Sequence, residues 1–254
     1  VYFKSNFADV RDVNWAVRNK INGITSPIDG KRGGHISYGQ YGHTFFKLIP
    51  ADEYMGTHPE YFSLVDGERK AGNAKGQLCL SNPDVLEISK KTVLGWIKDN
   101  PESRYFSVSI NDNHNRCQCE NCVKLDEQEN PTGTVLKFVN AIAEEVAKDH
   151  PDVIIEMLAY YYTSEPPIET VPADNVRVKL CPMTCRYHDY ETCSYPITKE
   201  FMNYFKGWKK LTKNIYIWEY TDVYSHLPMP MPDITQMSRT IRFYVDNSIK
   251  GIFI

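Results

Sequence analysis

The sequence contains no apolar run long enough to cross a membrane and no excess of basic residues. A membrane-spanning helix needs about 20 consecutive apolar residues, and no such run occurs. The 254 residues include 29 Lys and Arg against 32 Asp and Glu, a net charge of −3. We therefore expect neither a nucleic-acid partner nor an anionic membrane surface. Val1 is not preceded by an initiator Met and no signal-peptide core follows it, so we expect a fragment of a larger multidomain protein.

Several enzyme motifs are also missing. There is no G-x-G-x-x-G, Walker-type loop or G-x-S-x-G, which argues against nucleotide-binding, kinase and serine-hydrolase functions. The seven histidines show no H-E-x-x-H spacing, so no catalytic metal of that type is expected. With 42% hydrophobic and 24% charged residues, the composition is that of a folded globular protein.

Predicted strands and helices alternate along the chain, which favours a parallel sheet with crossover helices. Counting Tyr2–Phe7 and parts of the 20–50 region as early strands gives about eight strands, so we expect one (β/α)8 barrel domain over residues 1–254. Residues 25–76 are expected to be loop-like, and the Pro-containing stretch 161–175 to be a crossover without a helix. The later strands are predicted at 105–110, 153–160, 176–181, 215–220 and 250–254, and the helices at 81–99, 134–149, 198–211 and from Asp233.

Alternation within the strands predicts which side chains face the interior. In 105–110 the apolar residues point to the outer helices, so Ser107 and then Asn111 point inward. Glu156 and Lys179 are predicted to pair inside on neighbouring strands, because a buried unpaired charge is costly. The alternative is that one of these strands faces the other way and its charges are solvated.

Two carboxylates at predicted strand ends are candidate catalytic groups. Asp112 follows the strand 105–110, and Glu219 lies near the end of another. Two acids in such positions are what the cleavage of a glycosidic bond needs. Asp112 can instead be a turn or cap residue, and Trp218 and Tyr220 can be the inward pair in place of Glu219. Three weaker acid candidates are Asp189, Glu191 and Asp222.

Polar and aromatic residues near strand ends are candidate substrate-binding groups. The 17 Tyr and 4 Trp suit a sugar-binding cleft, although they equally suit an ordinary core. His43 and His114 lie in predicted mouth loops, where they can hydrogen-bond sugar hydroxyls. The full candidate set is His43, Asn111, His114, Tyr160, Tyr162, Trp218 and Tyr220.

Seven cysteines, an odd number, cannot all form disulfides within the chain. Cys117, Cys119 and Cys122 form a C-x-C-x-x-C run that can bind structural zinc if a fourth ligand arrives from elsewhere. A disulfide in an exported protein and buried free thiols are the alternatives. No other cofactor is expected. The fourth-ligand candidates are His114, His188, Cys185 and Cys193.

Several short stretches together resemble the domain-of-unknown-function 4838 family, over nearly the whole chain. That family is associated with glycoside hydrolase family 163 and is similar in architecture to the family 67 α-glucuronidases. The stretches are Gly42-His43-Thr44-Phe45, His58-Pro59-Glu60-Tyr61-Phe62, Gln77-Leu78-Cys79-Leu80-Ser81-Asn82-Pro83, Val108-Ser109-Ile110-Asn111-Asp112 with the cysteine run, Leu136-Lys137-Phe138-Val139-Asn140, Leu158-Ala159-Tyr160 and Ile217-Trp218-Glu219-Tyr220.

The resemblance implies an endo-β-N-acetylglucosaminidase barrel acting on complex N-glycans. It also implies an exported, periplasmic or cell-surface enzyme of the kind found in gut Bacteroidetes. For a substrate with an N-acetyl group at C2 it implies a retaining, substrate-assisted route, with Glu219 as the acid and Asp112 as the orienting carboxylate. Two alternatives stay open: an α-glucuronidase-like exo-enzyme with Arg177, Lys179 and Arg186 around a uronate, and a non-catalytic glycan-binding barrel.

Overall fold

A computed structural model describes residues 3–4, 13–18, 28–34, 37–184, 188–221 and 233–253. The chain divides into two compact units. Unit 1 contains Val1–Ile36 and Lys179–Ile254, and unit 2 contains Ser37–Val178. No helix within the described ranges is long and apolar enough to span a membrane.

Strands and helices alternate along most of the described chain, as the sequence predicts. The strands are β1 (Phe3–Lys4), β2 (Tyr38–Gln40), β3 (Ser63–Val65), β4 (Glu68–Lys70), β5 (Tyr105–Ser107), β6 (Ile154–Ala159), β7 (Val176–Leu180), β8 (Ile215–Trp218) and β9 (Gly251–Phe253). The α-helices are α1 (Val13–Arg18), α2 (Phe45–Leu48), α3 (Ala51–Tyr54), α4 (Pro83–Asp99), α5 (Glu120–Asp149), α6 (Pro196–Leu211) and α7 (Ile234–Asp246).

Unit 2 is built on parallel strands in the order β2-β5-β6-β7. β5 pairs in parallel with β2 and with β6, so the carboxyl ends of these three strands lie at the same edge. β3 and β4 form a separate antiparallel hairpin. β2 is an early strand of the kind expected within the 20–50 region, whereas the expectation that residues 25–76 are loop-like is wrong for 45–48, 51–54, 63–65 and 68–70. These elements are three or four residues each, too short to show a helical or strand period.

The two long helices of unit 2 begin where local chemistry caps them. Asn82 rather than Ser81 caps α4, because its side chain accepts a hydrogen bond of 2.9 Å from the backbone N–H of Asp84. α5 consists of two helical parts joined at Asn130, whose φ of 66° breaks the helical path just before Pro131. The sequence predicts only the second part, from residue 134 onward, because the first part is mostly polar.

Unit 1 contains the strand order β1-β9-β8, and both pairings are parallel. Helices α6 and α7 belong to this unit. The prediction of a strand over Tyr2–Phe7 is confirmed at Phe3–Lys4, and the rest of that range lies outside the described residues. β7 begins in unit 2, and its last two residues belong to unit 1.

The predicted α/β class with parallel strands is confirmed. Within the described ranges six strands are paired in parallel, so a closed eight-stranded barrel is not shown. The assignment of the whole chain to a single domain stays a prediction. Of the 20–50 region, parts of which were expected to contribute early strands, residues 20–27 and 35–36 lie outside the described part of the chain.

Charged side chains are buried in unit 2, as the strand pattern predicts. Glu156 is fully buried and accepts a hydrogen bond of 2.9 Å from the hydroxyl of Tyr38. The guanidinium of Arg177 lies 3.8 Å from the same carboxylate and 3.9 Å from the ring centre of Tyr105. Lys179 is also buried, but it belongs to unit 1, so its pairing with Glu156 stays a prediction.

Candidate functional site

Residues that follow neighbouring strands of unit 2 gather at the carboxyl edge of its sheet. His43 precedes α2, Asp112 follows β5, and Tyr160 follows β6. The Nε2 atom of His43 lies 3.8 Å from Oδ1 of Asp112, and its ring centre lies 5.9 Å from that of Tyr160. The structure therefore brings together three of the predicted site residues. We term the group the mouth cluster; its members are His43, Asp112, His114, Tyr160 and Tyr161.

The tautomer of His43 follows from its hydrogen bond. Nδ1 lies 2.6 Å from the backbone carbonyl oxygen of Ile110. Since a carbonyl oxygen only accepts, Nδ1 carries the proton and donates it, and Nε2 is left to face Asp112. The Asp112 side chain is 48% exposed, whereas that of His43 is 19% exposed. The carboxylate is thus accessible to a ligand, while the imidazole is fixed in place.

Tyr161 is a member of the mouth cluster that sequence analysis missed. It opens a short 3₁₀ turn, Tyr161–Thr163, with a φ of 50°. Its ring centre lies 3.8 Å from that of Tyr160 and 4.0 Å from that of His114. The run Tyr160-Tyr161-Tyr162 could have indicated Tyr161 as a candidate, but only Tyr160 and Tyr162 share a strand face, and only these two were named as substrate-binding residues. Only the left-handed turn at Tyr161 puts its ring beside the other two.

Asn111, which was predicted to bind substrate, is buried in unit 2, and its substrate-binding role stays a prediction. Its side chain is buried: Nδ2 donates to the carbonyl of Gly76 at 2.8 Å, and Oδ1 accepts from the backbone N–H of Phe46 at 2.8 Å. Its own N–H donates to Oε1 of Gln77 at 2.8 Å. Asn111 therefore holds the backbone that presents Asp112, and Gln77 is a positioning residue that the sequence analysis did not identify.

Glu219 lies in unit 1, directly after β8. Its N–H donates to the carbonyl of Phe253 at 2.7 Å, which continues the pairing with β9. Tyr190 donates a hydrogen bond of 2.9 Å to Oε2 of Glu219, and the hydroxyl of Tyr244 donates to the same oxygen. The Tyr220 backbone N–H donates to Oε1 at 3.1 Å. The carboxylate is 8% exposed and held in one orientation.

The strand phase around Glu219, left open by the sequence, is resolved. Ile215, Ile217 and Glu219 are buried, and the residues between them are half-buried. Trp218 and Tyr220 share the opposite face, with ring centres 6.4 Å apart. Glu219 thus points towards Tyr244 of α7 and lines a small cleft with residues that include Thr221 and Asp233.

The two tyrosines beside Glu219 remain uncharged donors. Burial raises the pKa of Tyr190 well above its usual value, and the negative charge of Glu219 raises it further. The same two causes, in the same order, raise the pKa of Tyr244. Each phenol therefore keeps its proton at neutral pH and can donate a hydrogen bond to Glu219.

Tyr162, a predicted substrate-binding residue, is half-buried and lines a small cavity of unit 2, and its predicted role stays a prediction. That cavity also contains Cys117 and Cys122. Burial raises the pKa of Tyr162 far above its usual value. A 3₁₀ turn begins at Tyr161, so the side chain of Tyr162 does not continue the alternation of β6.

Four cysteines of unit 2 meet where the sequence predicted three. The Sγ atoms of all four lie within 4.8 Å of one another. The fourth member is Cys79, not any of the residues proposed from the sequence. Hydrogen bonds from the thiols of Cys117 and Cys122 hold the pKa of Cys79 far below its usual value. We term the group the cysteine cluster; its members are Cys79, Cys117, Cys119 and Cys122.

The remaining fourth-ligand candidates lie elsewhere. His114 belongs to the mouth cluster, and its ring contacts Tyr161. Cys193 and His188 belong to unit 1. Cys185 lies outside the described residues. The cysteine cluster is thus assembled entirely within unit 2.

Other candidate residues have structural partners. Asp189 accepts hydrogen bonds from Gln236 at 2.9 Å and from Arg239 at 3.3 Å. Arg177, a candidate uronate-binding residue, is buried against Glu156. Asp222 and Arg186 lie outside the described residues, so their predicted roles are not addressed by the structure.

The model of the family described as "Domain of unknown function (DUF4838)" matches residues 1–254. The chain therefore belongs to that family, and the predicted membership is confirmed. No curated protein sequence matches the chain significantly.

Two solved structures are similar to the chain at low identity. Endo-glycoceramidase II from Rhodococcus sp., in an iminocyclitol complex, is 8% identical, with a TM-score of 0.39 over 68% of this chain and 41% of that one. The structure of the tandem GH20 catalytic modules of the pneumococcal exo-β-D-N-acetylglucosaminidase StrH is 11% identical, with a TM-score of 0.39 over 81% of this chain and 42% of that one. The chain thus spans about two fifths of each, and TM-scores this low carry no argument about its function.

Proposed function

We propose that this member of the DUF4838 family is a glycoside hydrolase whose substrate-binding surface includes the mouth cluster of unit 2. The observation that carries the proposal is the half-exposed carboxylate of Asp112, 3.8 Å from the imidazole of His43, which in turn lies close to the adjacent rings of Tyr160 and Tyr161. Enzymes built on parallel strands place their sites at this edge of the sheet. Aromatic faces and hydrogen-bonding groups together suit a sugar ring.

The activity proposed in detail is that of a retaining endo-β-N-acetylglucosaminidase on complex N-glycans. The family resemblance supports this choice. In the first step the acetamido oxygen of the substrate attacks C1 and the bond to the leaving sugar breaks. Asp112 would accept the acetamide N–H and stabilise the positive charge that develops there. Water then adds to C1 and opens the ring intermediate, with net retention at C1.

Glu219 is proposed as the group that protonates the leaving oxygen in the first step and accepts a proton from water in the second. Its support is positional, since it follows a parallel strand and tyrosine hydroxyls fix its carboxylate. Oε2 accepts hydrogen bonds from the hydroxyls of both Tyr190 and Tyr244. We therefore assign to Oε1 the proton that passes to the leaving oxygen.

The mouth cluster is tested by the release of glycans from a complex-type N-glycoprotein, followed by mass spectrometry. We expect the wild type to cut between the two core GlcNAc residues. Asp112→Asn should lower kcat at least about 100-fold, the usual scale for the loss of a group that stabilises the transition state. Asp52→Asn, an exposed carboxylate of α3, is the matched control and should leave kcat unchanged.

Either of two results would contradict this part of the proposal. The first is wild-type kinetics in Asp112→Asn. The second is a wild-type protein that binds the glycan in a calorimetric titration but releases no product, which would identify a glycan-binding module.

The acid role of Glu219 is tested with two substrates. On the natural glycan, Glu219→Gln should lose about 100-fold or more in kcat, because general-acid catalysis contributes on that scale. An aryl glycoside with an acidic phenol as leaving group needs no proton, so the variant should cleave it at nearly the wild-type rate. Equal losses on both substrates would assign Glu219 a structural role and leave the rest of the proposal standing.

Export to the periplasm or cell surface is proposed on the family resemblance. Externally added protease should degrade a cell-surface protein in intact cells of its host, and a periplasmic protein only after the outer membrane has been opened. Protection in intact cells and periplasmic extracts alike would contradict the proposal.

A further inference from the structure

We propose that the cysteine cluster is a structural zinc site. The Sγ atom of Cys79 lies 3.7 Å from that of Cys119 and 3.8 Å from that of Cys122. Zinc binds thiolates at about 2.3 Å in a tetrahedron, which separates its sulfur ligands by about 3.8 Å. A disulfide would need sulfur atoms about 2.05 Å apart. The spacing is therefore that of ligands around a common metal ion.

The number and burial of the ligands indicate the role of the metal. Cys79, Cys117 and Cys122 are buried, and Cys119 is half-buried. Four protein ligands complete a tetrahedron and leave no position for water or substrate, as in structural rather than catalytic zinc sites. An all-sulfur tetrahedral set favours zinc or iron over harder cations.

Donor groups surround the sulfur atoms. The backbone N–H of Leu64 donates to Sγ of Cys117 at 3.3 Å. The hydroxyl of Ser81 lies 3.5 Å from Sγ of Cys79 and 3.6 Å from Sγ of Cys119. Such groups orient metal ligands and disperse the negative charge of thiolates.

The metal would join the two segments that present Asp112. Gln77, two residues before Cys79, donates to the carbonyls of Asn111 at 3.0 Å and Asn113 at 2.9 Å. The loop after β5 then continues from Asp112 to Cys117. A metal bound to both Cys79 and Cys117 would tie these two segments together. The inference stands on the four sulfur positions and does not depend on the proposed function.

The first test is the metal content of the wild-type chain, purified without chelator and measured by inductively coupled plasma mass spectrometry. We expect about one zinc ion per chain, as a single four-ligand site requires. Apo-protein prepared under reducing conditions should bind Co²⁺ alone and show the visible absorption of tetrahedral cobalt thiolate. Both measurements use the unmodified protein, so they do not depend on how a variant folds.

Matched cysteine variants identify the ligands. Cys79→Ser should weaken the zinc affinity at least about tenfold in competition with a chelator, the loss expected when a metal ligand or its support is removed. Cys79→His keeps a zinc ligand and should retain the metal. Cys193→Ser, which removes a buried cysteine of unit 1, should retain it as well.

Three results would overturn the inference. One is disulfide bonds among the four cysteines in mass spectra of the unreduced protein. Another is reduced apo-protein that takes up neither Zn²⁺ nor Co²⁺. The third is bound iron in place of zinc, which would replace the metal while keeping the ligands.

Discussion

Tyr190 donates a hydrogen bond of 2.9 Å to Oε2 of Glu219, and Tyr244 donates to the same oxygen. All three side chains are buried in unit 1. A buried carboxylate is stable only when donors replace the water that it has lost. The two phenols therefore determine whether Glu219 can occupy this position, whatever its role in catalysis.

We expect Tyr244→Phe to lower the free energy of unfolding by about 1–3 kcal/mol, because a buried acceptor loses a donor. Urea denaturation followed by circular dichroism measures the change. Tyr204→Phe is the matched control: its hydroxyl donates to Glu200 on the exposed side of α6 at 2.8 Å, and its loss should cost less than about 0.5 kcal/mol. Similar losses in the two variants would contradict this account of the Glu219 environment.

Arg177→Met should destabilise unit 2 strongly. It removes the cation 3.8 Å from Glu156, which is fully buried, and a stranded buried charge costs about 3–5 kcal/mol. Lys148→Met breaks an exposed pair with Glu145 and should cost less than about 1 kcal/mol. Urea midpoints report both changes.

A double substitution checks the cause of that loss. If the stranded charge is responsible, replacing Glu156 by Leu in the Arg177→Met background should recover part of the stability. Further destabilisation by the second substitution would show that packing, and not charge, dominates the site.

Glu129, at the kink of α5, should make stability depend on pH. Burial raises the pKa of Glu129, but hydrogen bonds from the Thr170 hydroxyl and from the backbone N–H groups of Glu169 and Thr170 outweigh it and lower the pKa to about 2. The folded state therefore binds this proton less readily than the unfolded chain does. Its stabilising contribution is complete above the unfolded pKa of 4.5 and is lost as the pH falls towards 2.

This dependence is measured by urea midpoints at about pH 6 and about pH 3, which lie above and below the unfolded carboxyl pKa. Glu129→Gln should lower the midpoint clearly at the higher pH and much less at the lower one. Glu127→Gln, an exposed residue of the same helix, should show no such difference. If the urea midpoints of the wild type and Glu129→Gln differed by the same amount at both pH values, ionisation of Glu129 would be excluded as the cause of the pH dependence.

Asn111→Ala should lower the free energy of unfolding by about 1–3 kcal/mol and weaken glycan cleavage through displacement of Asp112. It leaves the Gly76 carbonyl and the Phe46 N–H without the buried side chain that each contacts. Asn115→Ala removes an exposed bond of 2.8 Å to the Lys75 carbonyl and should cost less than about 0.5 kcal/mol. Equal unfolding midpoints for the two variants would contradict a positioning role for Asn111.

Elements with strong periodic patterns were predictable from the sequence. The helix predicted over 198–211 is α6, and its apolar residues, among them Phe205 and Trp208, are buried. It begins at Pro196 rather than Thr198, because proline is well suited to the first turn of a helix. The polar first part of α5 and the short elements of 38–70 carried too little pattern to be recognised.

The candidate site was only partly predictable. The order of strands implied that His43, Asp112 and Tyr160 lie at one edge, and they do. The alternation of side chains along a strand could not show that the Asn111 side chain hydrogen-bonds to backbone groups. Those groups belong to Gly76 and Phe46, which are distant in the sequence. The alternation also failed beyond Tyr160, where the backbone turns to a positive φ at Tyr161.

By itself, the sequence determined the family, the alternation of parallel strands and helices, and three cysteines of the cluster, because periodicity and spacing are local properties. Only the tertiary structure decided that Cys79 completes the cluster, that Glu219 faces Tyr244, and that Tyr162 lines a cavity with Cys117 and Cys122. These facts depend on contacts between residues far apart in the chain. Such contacts are set by packing and by the need to satisfy buried polar groups, neither of which a local pattern encodes.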